Sequence, residues 1–199
     1  SRGIFYGIMS LKQLLSGSDG KAVQRVADIV DYPVWPNRFI CDYFGNITEE
    51  WINFYASQKI AGIAGLSDSN WRSPEWWKQV EPTLQAMKRA KDMNLMTIMA
   101  QLHIYHSGRK MNIAKEEEID EFIVCCRRMI ENGATYLMIA ADDSTPRDVN
   151  GYRLYYPEET EKFKSAGEAH GYLMKRIYEA LHPEYPDVHI AMVGAPYSL

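Results

Sequence analysis

The chain has 199 residues, 46% hydrophobic and 24% charged, a globular composition that supports one good core with a small appendage and sets disorder aside. A formal net charge of -4, with no dense Lys/Arg cluster, removes the electrostatic footprint of a nucleic-acid binder. No run approaches about 18 uninterrupted apolar residues, so no membrane partner is expected, and the N-terminus lacks the charged-then-apolar layout of a signal peptide.

In chain order, residues 1 to 35 stand apart. "GIFYGIMSLKQLLSG" predicts a short helix closed by Gly17, and "KAVQRVADIVDYP" an extended segment leading into the turn residues "YPVWPN". This stretch reads as the end of a preceding domain with its linker, and the abrupt start at "SRGIFYG" fits an excised piece of a longer protein. From residue 36 onward strands and helices alternate. "RFICDYF" (38 to 44) is β-branched and aromatic and predicts a strand; "ITEEWINFYASQ" (47 to 58) predicts a helix capped by Thr48, with Trp51, Phe54 and Tyr55 on one face. "KIAGIAGL" (59 to 66) is a second apolar run. "SPEWWKQVEPTLQAMKRAKDMN" (73 to 94) opens on Ser73 with Pro74 at the first helical position, places Leu84, Met87 and Ala90 at helical spacing, and ends at Asn94. "LMTIMAQLHI" (95 to 104) is a third strand. "KEEEIDEFIVCCRRMIENG" (115 to 133) puts Ile119, Phe122, Ile123, Cys126 and Ile130 on one stripe, acidic at its start, basic near its end and closed by Gly133. "ATYLMIAA" (134 to 141) is the fourth strand, "AGEAHGYLMKRIYEALH" (166 to 182) a further helix, and "VHIAMVGAPY" (188 to 197) the fifth strand.

Near-continuous apolar strands separated by amphipathic helices mean a covered parallel sheet and an α/β class. Such a sheet is either open and doubly wound or part of a (β/α)8 barrel, and in both the chemistry gathers at the carboxyl ends of the strands. Asp142 and Asp143 fall at such an end, as do Asp42, Asp68, His103, His106 and Tyr197.

The adjacent carboxylates of "YLMIAADDSTP" are the leading functional signal. Two carboxylates a few ångströms apart cannot both ionise freely, so one keeps its proton and can act as an acid while the other stays charged. The same pair suits a hard divalent cation such as Mg2+. A strand-end Asx turn completed by Ser144, Thr145 and Pro146 accounts for it with no chemistry at all. A dehalogenase-type phosphatase is disfavoured, because it needs aspartates at alternate positions and position 144 is Ser. Other signals are fainter. His103 and His106 in "HIYH" would form a metal pair on a helix, whereas on a strand they splay. "GLSDSNW" reads as a polar rim, and of Trp76 and Trp77 at least one belongs in the core. Cys41, Cys125 and Cys126 have no CxxC spacing and read as core thiols. No metal and no cofactor are called for.

The order of the pieces carries a resemblance. "RGIFYGIMSLKQLL" followed by "IVDYPVWPNRFI" resembles the junction in bacterial β-N-acetylhexosaminidases and β-N-acetylglucosaminidases at which a small α/β domain gives way to a catalytic barrel. "EEEIDEFIVCCRRMIENGATYLMIAADD" and "IAMVGAPYS" resemble the third helix, the catalytic strand ending in Asp-Asp, and the following strand of glycoside hydrolase family 84, the O-GlcNAcase and hyaluronidase-like group. The resemblance implies a partial (β/α)8 TIM-type barrel of about five of the eight strands, at 36–199, preceded at 1–35 by the tail of a small α/β domain. It implies substrate-assisted, retaining hydrolysis of terminal β-linked N-acetylglucosamine, in which the 2-acetamido oxygen of the substrate attacks the anomeric carbon and no protein nucleophile is needed.

In that reading Asp142 orients the acetamide N–H, Asp143 protonates the leaving oxygen and then activates water, and Tyr197 holds the acetamide. Asp42, Gly45 and Asp68 approximate the sugar-binding loops, the partner is a carbohydrate, and the compartment suggested is secreted or periplasmic. Some loops depart from the family. "CDYFGN" stands where the first strand carries Gly-Phe-Tyr-Gly, "GLSDSN" supplies no Lys, and "LHIYH" replaces Ser-Pro-Gly. A non-catalytic carbohydrate-binding or structural domain derived from such a barrel is therefore the second reading. An unrelated Mg2+-dependent α/β enzyme is the third. Because a whole barrel takes eight strands and about 250 residues, the chain alone is expected to be inactive or nearly so.

Overall fold

The structure is a computed structural model. It describes residues 2–18, 20–30, 38–41, 47–68, 70–105, 110–141, 147–148, 151–152 and 154–194, with the side chains of 18, 65–68, 147–148 and 151–152 left aside. The elements in order are α1 (Arg2–Leu14), β1 (Leu15–Ser18), β2 (Lys21–Gln24), β3 (Phe39–Cys41), α2 (Glu49–Ser57), β4 (Gly62–Asp68), α3 (Pro74–Asp92), β5 (Thr97–His103), α4 (Glu116–Glu131), β6 (Tyr136–Ala140), β7 (Arg147–Asp148), β8 (Gly151–Tyr152), α5 (Pro157–Lys162), α6 (Ala166–Leu181) and β9 (His189–Val193).

Five strands pair in parallel in the order β3-β4-β5-β6-β9. Every crossover moves one place in the same direction, so the sheet has no topological switch point. That decides between the two architectures left open by the sequence, since a doubly wound sheet reverses its strand order and a barrel does not. Alternation along the strands gives the same answer. Ile63, Ile98, Ala100, Leu102, Leu137 and Ile139 belong to the core formed with α2, α3, α4 and α6, while Met99, Gln101, His103, Tyr136 and Met138 alternate with them on the opposite, concave face. At the amino end of that face Phe39 meets Tyr136 edge to face, ring centroids 5.5 Å apart, and Tyr136 stacks on His189 at 4.4 Å. The Phe39 ring crosses Gly62, where a β-carbon would come within 2.5 Å of it. The fold is a partial α/β barrel.

The helices that follow β3, β4 and β5 start and stop by local rules. Thr48 and Ser73 cap α2 and α3 by accepting the N–H of Trp51 and Trp76, each at 3.2 Å, and Pro74 takes the position where no amide donor is missed. Glu116, Glu117 and Glu118 open α4 and Arg128 lies in its last turn, matching the helix dipole. Three successive helices end in a left-handed residue: Lys59 at φ 59°, Asn94 at φ 50° and Gly133 at φ 107°. Behind each, a backbone bond closes the turn, from Ile60 to Tyr55, Leu95 to Ala90 and Ala134 to Met129, at 2.9 to 3.0 Å.

Several expectations are corrected. Gly17 does not close α1, which stops at Leu14; it lies in β1, which pairs antiparallel with β2 around the Asp19-Gly20 dipeptide, with Gly20 at φ 73°. Asp-Gly between two short runs is a hairpin signal. Trp51, Phe54 and Tyr55 do share a face of α2 and contact one another at 5.5 to 5.8 Å, but Trp51 and Phe54 are 45% and 50% exposed, and Ile52 and Ala56 take the core positions. Cys41, at the edge of the sheet, is exposed, while Cys125 and Cys126 are buried and their thiols are pushed up by desolvation. Trp76 is buried and Trp77 half-buried. The β7–β8 hairpin and α5 were not expected.

Candidate functional site

The five strands put their carboxyl ends on one edge of the sheet, and the sequence-predicted residues follow those ends. Asp42 and Gly45 come after β3, Asp142 and Asp143 after β6, and Tyr197 after β9. These five lie outside the described residues, as does His106. Asp68 is the last residue of β4, in register with Leu102 after a bulge at Gly65/Asp68. His103 is the last residue of β5 and stands opposite Ala140.

The support of the aspartate pair is built backward from Ala140 and Ala141, both fully buried. The Ala140 carbonyl accepts the Ile104 N–H at 3.1 Å and the Ala141 N–H donates to the Val193 carbonyl at 3.0 Å. The main chain entering Asp142 is thus hydrogen-bonded toward both neighbouring strands. A rigid scaffold beneath functional loops is what holds catalytic groups in a productive geometry.

Two buried glutamates, neither singled out by sequence reasoning, tie the loops around this edge together. Glu118, 3% exposed, accepts the Asn112 N–H at 3.0 Å and the Arg72 guanidinium at 2.7 Å, joining the loop after β4 to that after β5. Glu159 is fully buried. One of its oxygens accepts the Ile113 N–H at 2.7 Å and the other accepts those of Tyr155 and Tyr156 at 2.9 and 3.2 Å, joining the loop after β5 to the segment before α5. Burial pushes the Glu159 carboxyl above its usual range, opposed by those three N–H groups. Glu159 is three residues into α5 and reaches back to the cap position, as in a capping box, but the residue there is Tyr156. With no Ser or Thr before it, the pattern does not announce itself in the sequence.

A second layer lies beneath. Tyr105, fully buried, meets His170 of α6 across 3.3 Å from its hydroxyl to Nε2, and packs on Tyr155 with centroids 4.7 Å apart. Lys110 donates to the Tyr105 carbonyl at 2.8 Å and lies 4.5 Å over the Tyr155 ring, while the Tyr156 hydroxyl donates to the Lys110 carbonyl at 2.8 Å. Desolvation raises the Tyr105 phenol and holds His170 down to about 4. Both stay neutral at physiological pH.

Closer to the concave face, the Gln101 amide nitrogen stands 3.2 Å from His103 Nε2, and the His103 carbonyl accepts the Trp71 indole N–H at 3.3 Å. A terminal carboxamide and an imidazole at one strand end can donate to and accept from a polar ligand. The sequence marks His103 as a strand-end residue, whereas Gln101 reads there only as part of the strand.

No protein-family model and no curated protein sequence matches the chain. Solved structures do. The chain is similar to a mutant O-GlcNAc hydrolase of Thermobaculum terrenum, with a TM-score of 0.65 and 16% identity over 84% of this chain and 36% of that one. It is also similar to a structure named CpGH84B, with a TM-score of 0.66 and 17% identity over 96% of this chain and 32% of that one. The chain spans about a third of the length of these structures, and at such identities the likeness is one of fold alone: an α/β barrel, represented here by five of its strands.

Proposed function

We propose that the protein is a glycoside hydrolase of the family 84 type, that residues 36–199 form the front part of its catalytic barrel, and that residues 1–35 end a preceding domain. The observation that carries this is the coincidence of two independent features. The parallel strands run in barrel order, in a fold shared with an O-GlcNAc hydrolase, and the fourth of them leads through a fully buried, doubly hydrogen-bonded Ala140-Ala141 into Asp142-Asp143.

The proposed chemistry is hydrolysis of terminal β-linked N-acetylglucosamine with retention. The 2-acetamido oxygen attacks the anomeric carbon as the glycosidic bond breaks, and Asp143 delivers its proton to the departing oxygen. Asp142 accepts the acetamide N–H and stabilises the positive charge that develops on the ring so formed. Asp143, now a carboxylate, takes a proton from the water that opens the ring and is restored. Tyr197 holds the acetamide, and Asp42, Gly45 and Asp68 line the sugar. Negative charge beside a developing cation and a proton donor within reach are what this mechanism requires from a protein that supplies no nucleophile.

The altered strand-end loops "CDYFGN", "GLSDSN" and "LHIYH" favour a second reading, a carbohydrate-binding domain that no longer catalyses. The two are separated by hydrolysis of 4-nitrophenyl N-acetyl-β-glucosaminide by the full-length protein, beside its Asp142→Asn and Asp143→Asn variants. The enzyme reading expects turnover that drops by about 100-fold or more in each variant. A folded wild type that binds the sugar and shows no turnover selects the second reading.

A further inference from the structure

We propose that Gln101 and His103 on β5 form a sugar-contacting pair, a binding and specificity determinant for a neutral, hydroxyl-rich ligand of the N-acetylhexosamine class. This rests on the glycosidase reading of the same strand edge.

Burial alternates along the strand except at Gln101. Ile98, Ala100 and Leu102 are fully buried against the helices, so Met99, Gln101 and His103 take the concave side. Gln101 is only 4% exposed, and a buried carboxamide costs about 1–3 kcal/mol for hydrogen bonds it leaves unmade. An aliphatic side chain would fill that place without the penalty. On the β6 side and along β5 its described neighbours give it no polar partner besides His103: Gln101 is in register with Met138 and His103 with Ala140, and the preceding concave position on β5 is Met99. Among the described residues, the polar contact made by the Gln101 side chain is with His103 Nε2, at 3.2 Å.

The pair is also held in place. Trp71, itself buried, donates to the His103 carbonyl, and the Ile104 N–H next to it donates to the Ala140 carbonyl. The strand end therefore cannot drift relative to β6, whose continuation carries Asp142 two residues beyond Ala140. A neutral amide and an imidazole side by side offer donors and acceptors at the spacing of adjacent sugar hydroxyls. Met99 and Met138 supply an apolar surface for the C–H face of a pyranose. Neither member brings a carboxylate or a fixed cation, so the pair selects hydrogen-bonding pattern rather than charge.

The test uses the full-length protein with 13C/15N-labelled histidine, titrated with N-acetylglucosamine. His103 is one of five histidines in this chain, and its ring signal is assigned by its disappearance in His103→Asn. The expected result is a saturable shift of the His103 ring signal, with sugar affinity about tenfold weaker in Gln101→Leu. Where the wild type turns over substrate, the same variant raises KM about tenfold and leaves kcat within about twofold, as loss of uniform binding does. Backbone amide spectra of each variant report whether it is folded. Saturable shifts elsewhere in the protein, with His103 unmoved and Gln101→Leu binding like wild type, overturn this pair and leave the glycosidase reading standing. A folded wild type in which saturating sugar moves no signal overturns both.

Discussion

His170 is 6% exposed and meets the Tyr105 hydroxyl, and desolvation holds its pKa at about 4 against an ordinary 6.5. Between those two values the unfolded chain takes up a proton that the folded chain refuses. The stability tied to this neutral imidazole is thus complete above pH 6.5, declines as the pH falls, and is lost once the pH passes through about 4. The span corresponds to roughly 3 kcal/mol at most. Urea unfolding at pH 7, 5.5 and 4 should show this loss, and His170→Gln, which keeps a hydrogen-bonding group toward Tyr105 and cannot titrate, should remove most of it. An unchanged slope in the variant would assign the acid lability to other groups. Glu159 marks the boundary of what could be read at this scale. Its type and position look like an ordinary exposed glutamate in "PEETEK", and only tertiary contacts with Ile113, Tyr155 and Tyr156 make it a buried loop anchor.

Helix ends were the most legible elements. Thr48, Ser73, Asn94 and Gly133 each sit where a cap or terminator is needed, because capping depends on a few neighbouring backbone groups that the local sequence itself supplies. Gly133 and Gly171 then make opposite predictions. At Gly133 the backbone is left-handed and a β-carbon would stand 2.6 Å from the Met87 carbonyl oxygen, so Gly133→Ala should destabilise the fold by about 1–3 kcal/mol. Gly171 lies on the exposed side of α6 with nothing within 4 Å of an added β-carbon, so Gly171→Ala should stabilise it by about 0.5–1 kcal/mol. Chemical denaturation of the pair checks both signs, and a stabilised Gly133→Ala would contradict the close approach of α3 to the start of β6. The β1–β2 hairpin was misread because helical periodicity through Leu14 and Leu15 outweighed the two-residue Asp-Gly signal beyond it. The helix α5, six residues long, is too short to show a period.

The α/β class and the strand count followed from apolar runs alternating with amphipathic helices, a pattern that survives without knowledge of pairing. Strand order did not, since it is fixed by where each helix packs, and it is the order β3-β4-β5-β6-β9 that separates a barrel from a doubly wound sheet. The site was legible only as a set of strand ends. The concave placement of Gln101 was hidden because one amide inside "LMTIMAQLHI" barely disturbs an apolar run. At the level of the whole molecule, β3 and β9 are the terminal strands of the described sheet, and Trp51, Phe54, Ile4 and Ile8 are large apolar side chains open to solvent. Unpaired sheet edges and clustered aromatics drive association. The 199-residue chain studied by itself should self-associate with rising concentration in sedimentation velocity, and Trp51→Glu combined with Phe54→Glu should shift it toward monomer. A monomer at every concentration would show that these surfaces are benign.

The Phe39 ring lying across Gly62 links two positions that are far apart in sequence and adjacent in the sheet. A methyl group at 62 can enter only if the ring at 39 leaves, and once the ring is gone the contact with Tyr136 goes with it. In evolutionary terms the two sites share one allowance of space, so among divergent relatives they should change together. A larger residue at 62 should be accompanied by a smaller one at 39, which makes this pair a covariation marker for correct alignment of the first two barrel strands where overall identity is too low to guide it.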